Sequence, residues 1–533
     1  MKNKKKCSIG TLVFIIMCIS LLLYMSLFFN DADVYYFVSN GNYILKHGIP
    51  HTNPFIFIPY EGMHLPKIVI QNWLYCVFIA IVNKCFGSIG MVITNFLFLL
   101  GTILITLYFL KPRHKNKISV FVIVLCFLLT FSYTSLRPQM FTYILIVAEI
   151  LLIEKALKTN NMRWLMLIIP LMILEINCHA SYWIMHYIVF IPYLIPADNI
   201  FKIFKKTKVF RIKNAVNLII TWIMMAGSLF INPYGIDAIL YVFKALKSNV
   251  FSIVNLGEEL SPFNIKTFGL EFNVIILGII IIFAFMIFKR KITSTTFLMF
   301  IGFTFLFLQQ YKWLPFFEIG YVFVARDFLD AVPEICKFKI KYQKTIKLML
   351  IIISMIIIFK ESLTFASGMN KIKNTSELAQ FNENAVKNVD VVKINDYLIK
   401  NNIDSVYSPY NASENYYEYH GIKVMTDARP ELYTMDYSNT DNCDNSYLGL
   451  QQQIAKGVKV YSYAVENKTY SESLISQNEY EHLVDDLNVK YYITDSSSLR
   501  LALYCNEHPE KYEKIYQGKE KSLYKKINGN NDK

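Results

Sequence analysis

Two carboxylates, Asp31 and Asp33, stand one residue apart in Asn30-Asp31-Ala32-Asp33-Val34-Tyr35-Tyr36, directly after an apolar run over 8–29. A charge at a membrane boundary is expensive unless it has work to do, so such residues are functional candidates. A carboxylate placed there can take the proton of an attacking hydroxyl. A second one can ligate a divalent cation of the Mg²⁺ or Mn²⁺ type, which prefers oxygen donors and bridges phosphate oxygens. A plainer role stays open beside these: the acidic cluster ends the apolar run and caps the helix that follows.

Further candidates sit at other ends of apolar runs. Arg137, in Ser135-Leu136-Arg137-Pro138-Gln139, carries a forked donor suited to a lipid phosphate, although a snorkelling Arg at headgroup level reads equally well. His179, in Glu175-Ile176-Asn177-Cys178-His179-Ala180-Ser181, can bind phosphate or help to hold a metal, and Glu175 lies deep enough to want a partner, although a hydrogen-bonded structural role reads equally well for each. Lys312 follows Gln309-Gln310-Tyr311 and precedes Trp313, a pattern that fits phosphate binding or an interfacial anchor. Glu258 and Glu259 belong to a connection too long to be idle, and Glu258 is a candidate substrate contact. Asn232-Pro233-Tyr234-Gly235 is composed of turn residues and makes no catalytic demand.

These residues must be positioned by a chain that is 54% apolar and 15% aromatic, too greasy for ordinary soluble usage. Apolar runs of roughly 18 to 22 residues recur as far as about residue 365 and read as a polytopic helical membrane protein. From 366 the composition turns polar, which divides the chain into a membrane domain, 1–365, with an outer loop over 30–89, and a soluble domain, 366–533. The tail carries 19 Lys and Arg against 24 Asp and Glu, so the net charge of +14 belongs to the membrane part. There it sits in short loops, as orientation signals do, which argues against a nucleic-acid partner. The nine Cys show no metal-ligand spacing, and pairing of Cys443 with Cys505 depends on the compartment the tail faces.

The basic start Met1 to Lys6 places the N-terminus in the cytoplasm and Asp31 and Asp33 outside. The segment Trp73 to Phe86 is short and interrupted by Asn83-Lys84, and it reads as an amphipathic surface helix. Each later basic loop then falls inside, and about eleven spans result. They cover 8–29, 90–110, 118–134, 139–154, 163–177, 182–196, 215–231, 271–288, 293–309, 313–330 and 346–363, so the tail lies outside the plasma membrane. The tail itself alternates β-rich pieces at 405–408, 423–426 and 490–494 with helical patterns at 390–400 and 480–487, a mixed α/β domain.

The first loop resembles that of the GT-C glycosyltransferases, membrane enzymes that take sugars from polyprenyl-phosphate carriers. The resemblance rests on the Asp-x-Asp after the first span, Gly41, His47-Gly48-Ile49-Pro50 and His51-Thr52-Asn53-Pro54-Phe55. Arg137-Pro138, the stretch around His179 (with Ala180 where Gly is usual), Asn232 to Gly235 and Thr426 to Tyr433 are similar to further family motifs. The family pattern has Asp where this chain has Asn53, and often Trp where it has Tyr35 or Tyr36. Within that family the chain resembles bacterial mannosyltransferase- and arabinosyltransferase-like membrane proteins.

That resemblance implies a GT-C-like fold and an inverting displacement of polyprenyl phosphate from a sugar carbon by an acceptor hydroxyl. Asp31 or Asp33 would be the base and the other a metal or acceptor ligand. Arg137, His179 and Lys312 would hold the phosphate, with His51 and Glu258 as further substrate contacts. The implied partners are a polyprenyl-phosphate-linked sugar, a glycan, lipid or protein acceptor, and the bilayer. A non-catalytic binder or transporter of lipid-linked glycan is the alternative, although transporters place their ionisable groups nearer mid-membrane.

Overall fold

The computed structural model describes residues 32–110, 135–194, 212–247, 262–266, 270–335, 389–410, 413–427, 429–433, 446–464 and 469–527, together with isolated helical positions between 19 and 26. The expected spans 118–134 and 346–363, and most of 8–29, lie outside the described residues. Two compact units emerge: a bundle unit of Met1–Phe29, Ile89–Asn232 and Leu256–Ser376, and an α/β unit of Asn30–Ser88, Pro233–Asn255 and Glu377–Lys533. The expected outer loop of the first domain therefore packs with the tail.

The α/β unit begins with α1 (Ala32–His47) and the first part of α2 (Trp73–Leu110). α2 is not continuous: Gly87 has φ 57° and ψ −151°, a conformation that only glycine tolerates without strain. The surface segment expected at 73–86 and the run expected at 90–110 are thus separated by a break. α1 and α2 approach closely through Gly41, where an added Cβ would stand 2.1 Å from the Cys76 carbonyl oxygen and 2.6 Å from Ala80 Cβ.

The bundle unit contains α3 (Pro138–Thr159), α4 (Ile168–Cys178), α5 (Trp183–Phe190), α6 (Ile212–Ser228), α7 (Leu270–Phe288), α8 (Ser294–Gln309) and α9 (Leu314–Ile335). Two expected spans are shorter than their apolar runs. The first is split at Leu167, with a separate turn over Arg163–Met166 and with Pro170 seated in the first turn of α4, where a missing N–H costs little. The second tightens into a 3₁₀ turn, Ile191–Leu194, at Pro192. Among the described residues one helix, α2, is long and apolar enough to cross a membrane by length and composition; 216–228, 272–288 and 294–309 are shorter apolar helices.

The tail completes the α/β unit with α10 (Val389–Lys400), α11 (Glu414–Tyr419), α12 (Tyr447–Lys456), α13 (Gln477–Asp485) and α14 (Leu499–Glu507). A hairpin of β1 (Val458–Ala464) and β2 (Thr469–Leu474) stands apart from an antiparallel sheet ordered β3-β5-β4, from Tyr491–Thr494, Ser522–Lys526 and Tyr512–Gln517. The β-rich pieces at 405–408 and 423–426 form single parallel bridges rather than full strands: Tyr407 with Tyr492, Ser405 with Lys423, and Val424 with Ile56. The expected helices at 390–400 and 480–487 match α10 and α13 within a few residues. Cys505 is a buried thiol, and Cys443 lies outside the described residues.

Val391, Ile394 and Leu398 recur at helical spacing on α10 and meet Val406, Val424, Ile493 and Leu523 in one core, which also takes in Tyr35 of α1. Tyr35 makes edge contacts with Tyr416 and Tyr419 at 5.1 and 5.3 Å. The acidic helix is thereby an internal part of the α/β unit.

Gly41→Ala is expected to destabilise the full-length protein by about 1–3 kcal/mol or more, because backbone must move to admit the new methyl group. Gly101→Ala, whose Cβ would meet nothing closer than 3.5 Å, should leave stability unchanged or slightly raised. Thermal unfolding of the two purified variants checks the contrast.

Candidate functional site

Asp33 lies in the first turn of α1 and is half-buried. A carboxylate there is favoured by the helix dipole. Tyr36, three residues on, shares its helix face. The Tyr36 ring lies 4.2 Å from the Arg429 guanidinium, a cation–π contact in which both partners are buried. Asp31 lies outside the described residues.

Arg429 is held by Asp427. Its Nη2 donates to Asp427 Oδ2 at 2.6 Å, and its backbone N–H donates to Asp427 Oδ1 at 2.8 Å. Asn53 completes the cluster, donating through Nδ2 to Asp427 Oδ2 at 3.0 Å and to the Tyr433 hydroxyl at 2.7 Å. Asn53 Oδ1 accepts the Phe55 N–H at 3.0 Å, which fixes the turn at Pro54. Glu418 is buried in the same unit, and neither of its oxygens has a hydrogen-bond partner among the described residues. Burial pushes its carboxyl well above the usual range; Asp427 and Glu414 add to the shift and Arg429 opposes it.

His51 is exposed and stands edge-on to the Tyr234 ring at 5.6 Å, while the Tyr234 hydroxyl donates to the Pro50 carbonyl at 3.0 Å. Tyr234 and Gly235, with φ 53°, thus hold the His47 to His51 turn in place.

In the bundle unit, Arg137 is the extended residue before α3, with φ −117° and ψ 153°, as Pro138 at the first helical position demands. Arg137 is half-buried. Thr142 follows about one and a half turns into α3 and bonds His179 Nδ1 at 2.8 Å. His179 is buried at the end of α4, where its N–H closes the helix on the Glu175 carbonyl at 2.7 Å. Its ring stacks on Tyr182 at 4.1 Å, Tyr182 lies 5.5 Å from Trp313, and Lys312 Nζ stands 5.2 Å over the Trp313 ring. His179 and Lys312 are thus linked through Tyr182 and Trp313, and Arg137 stands before the helix whose Thr142 meets His179. Asn232 braces the end of α4, with Nδ2 donating to the Ile176 carbonyl at 2.7 Å while Asn177 Nδ2 donates to the Ile231 carbonyl at 2.8 Å.

Glu258 lies outside the described residues. Among the described residues no three His, Cys, Asp or Glu side chains converge on a position that could hold a metal ion. The sequence did not point to Thr142, Asn53 or Glu418 as site residues. Thr142 is a hydroxyl in an apolar run, and only the fold brings it to His179.

No family of known sequences matches the chain, and no curated protein matches it in sequence. Among solved structures it is similar to the oligosaccharyltransferase of Archaeoglobus fulgidus, which was crystallised with an acceptor peptide containing the NVT sequon tethered by a disulfide bond. The TM-score is 0.57 at 12% sequence identity, over 96% of this chain and 74% of that one. That likeness is one of fold. Asn53, where the GT-C pattern has Asp, is accounted for by its neighbour: it faces the buried Asp427 carboxylate and supplies the donor that Asp427 needs.

Asn53→Asp would set two carboxylates against each other in a buried loop. It should cost about 3 kcal/mol or more, read as a fall in unfolding temperature, with Asn53→Ser less damaging. For Glu418 the sign is fixed by its raised pKa. The folded state keeps a proton that the unfolded chain releases above the ordinary value of 4.5, so stability falls as pH rises from that range. Glu418→Gln removes this slope, and its unfolding temperature should exceed that of the wild type at pH 8 while matching it near pH 4.

Proposed function

We propose that the protein is a membrane glycosyltransferase that moves a sugar from a polyprenyl-phosphate carrier to an acceptor hydroxyl at the outer face of the plasma membrane. The observation that carries this reading is the GT-C fold over nearly the whole chain, together with an Asp-x-Asp at the start of α1. The acceptor is a glycan, a lipid or a protein.

In this reading Asp31 or Asp33 takes the proton of the acceptor hydroxyl. The freed oxygen pair forms the new bond to the anomeric carbon from the side opposite the phosphate. The old carbon–oxygen bond breaks, and its electron pair leaves with the polyprenyl phosphate, so the anomeric centre inverts. Arg137, His179 and Lys312 hold the departing phosphate through charge-assisted bonds. His51 and Glu258 contribute further substrate contacts. The other carboxylate would contact the acceptor or hold a Mg²⁺ or Mn²⁺ ion, which would supply positive charge to the departing phosphate.

The test compares envelope sugar composition in cells lacking the protein, complemented at matched expression by wild type, Asp31→Asn or Asp33→Asn. A sugar should disappear and return only with the wild type. If both Asn variants restore it, the transfer reading falls and a non-catalytic binder or transporter of lipid-linked glycan takes its place. In purified protein, Lys312→Ala should raise KM for the lipid-linked donor about tenfold to a hundredfold, as the loss of one bond to a charged group predicts, with kcat changed much less.

A further inference from the structure

Five polar side chains form a line through the bundle unit. His179 Nδ1 lies 2.8 Å from Thr142 Oγ1, and Thr142 donates to Glu175 Oε1 at 2.7 Å. Glu175 Oε2 stands 3.7 Å from His186 Nε2, and His186 Nδ1 lies 2.5 Å from Glu149 Oε2. None of the five is more than 3% exposed. Thr142 and Glu149 are seven residues apart on α3, two turns along one face. Glu175 comes from α4, and His186 from α5.

The hydroxyl of Thr142 has one proton to give. Because that proton goes to Glu175, the bond between Thr142 and His179 is donated by the Nδ1–H of the imidazole. Nε2, on the opposite side of the ring, is then the atom left to meet a ligand, and the stack on Tyr182 holds the ring plane. The other charged groups around this end are Arg137 before α3, Lys312 beside Trp313, and Glu318 on α9, which acts on Tyr143.

We propose that Thr142 and Glu175 are positioning residues for His179. They hold its Nδ1–H inward and stabilise the imidazolium that forms when Nε2 engages an anionic phosphate, while His186 and Glu149 fix the Glu175 carboxylate from behind. This rests on the phosphate-holding role given to His179 above. The line explains why a GT-C chain buries two glutamates and a second histidine behind its phosphate contacts.

Calorimetry of the full-length protein in detergent micelles, in buffers of different ionisation enthalpy, tests it with two probes: a polyprenyl monophosphate and inorganic phosphate. Wild type should bind the lipid phosphate with uptake of about one proton. Thr142→Val, which keeps the shape and removes the hydroxyl, should bind about tenfold more weakly and lose the proton uptake, whereas Thr142→Ser should retain both. Nitrogen-15 spectra of labelled histidine supply a readout free of ligand: the Nδ1–H tautomer should be present in wild type and Thr142→Ser and lost in Thr142→Val. Equal binding of inorganic phosphate would identify the free ion, not the lipid headgroup, as the ligand of the same device. Unchanged proton uptake and tautomer in Thr142→Val overturn the positioning role alone. Failure of wild type to bind either phosphate overturns the transfer reading and this inference with it.

Discussion

The α/β unit depends on one buried ion pair. Asp427 and Arg429 are both shielded from water, and a buried charge left without its partner costs several kcal/mol. The pair is therefore surrounded by groups that match it: the backbone N–H of Arg429 and the amide of Asn53 on the carboxylate, the ring of Tyr36 against the guanidinium. Asn53 and Tyr36 come from the stretch after the first apolar run, and Asp427 and Arg429 from the tail. The charge pair joins these segments beside the apolar core that Tyr35 shares with the tail, and it tolerates few partners because a buried carboxylate must be matched.

The bundle unit solves a similar problem by other means. Among the described residues its buried Glu149 and Glu175 face imidazoles and a hydroxyl, whereas the half-buried Glu154 takes contacts from Arg326 at 2.7 and 2.8 Å. A permanently charged Arg neutralises a carboxylate once and for all. An imidazole can do so or not according to its proton, which leaves the charge of the line through Glu175 open to what arrives at His179.

Much of this was legible in the sequence, and the parts that were not share a cause. Runs of apolar residues announce helices directly, so α3, α6, α7, α8 and α9 fall where hydropathy puts them. The breaks at Leu167 and Pro192 were hidden, because an apolar average is blind to a single proline within it. Asp427 and Arg429 are two residues apart, a spacing that allows a local ion pair and equally a shared contact with an outside ligand. Asn53 and Asp427 are 374 residues apart, and no local pattern reports such a contact; the only trace was an Asn where Asp is customary. The tail strands at 405–408 and 423–426 were recognisable as β-prone, but not their reduction to single bridges, since pairing is decided by neighbours far along the chain. Arg137, His179 and Lys312 were singled out because each stands at the end of an apolar run; the Tyr182 and Trp313 rings that link His179 to Lys312 had no such mark.

The break in α2 bears on how the chain is made. As one rod, its 38 residues would measure about 57 Å, nearly twice the roughly 30 Å of hydrocarbon in a bilayer. An insertion machinery meeting such a rod would have no unique segment to select. The turn at Gly87 leaves 88–110 as a piece of one bilayer's length and keeps the polar pair Asn83 and Lys84 out of it. A single residue without a side chain thus divides one long apolar helix into a short first part and a second of bilayer length.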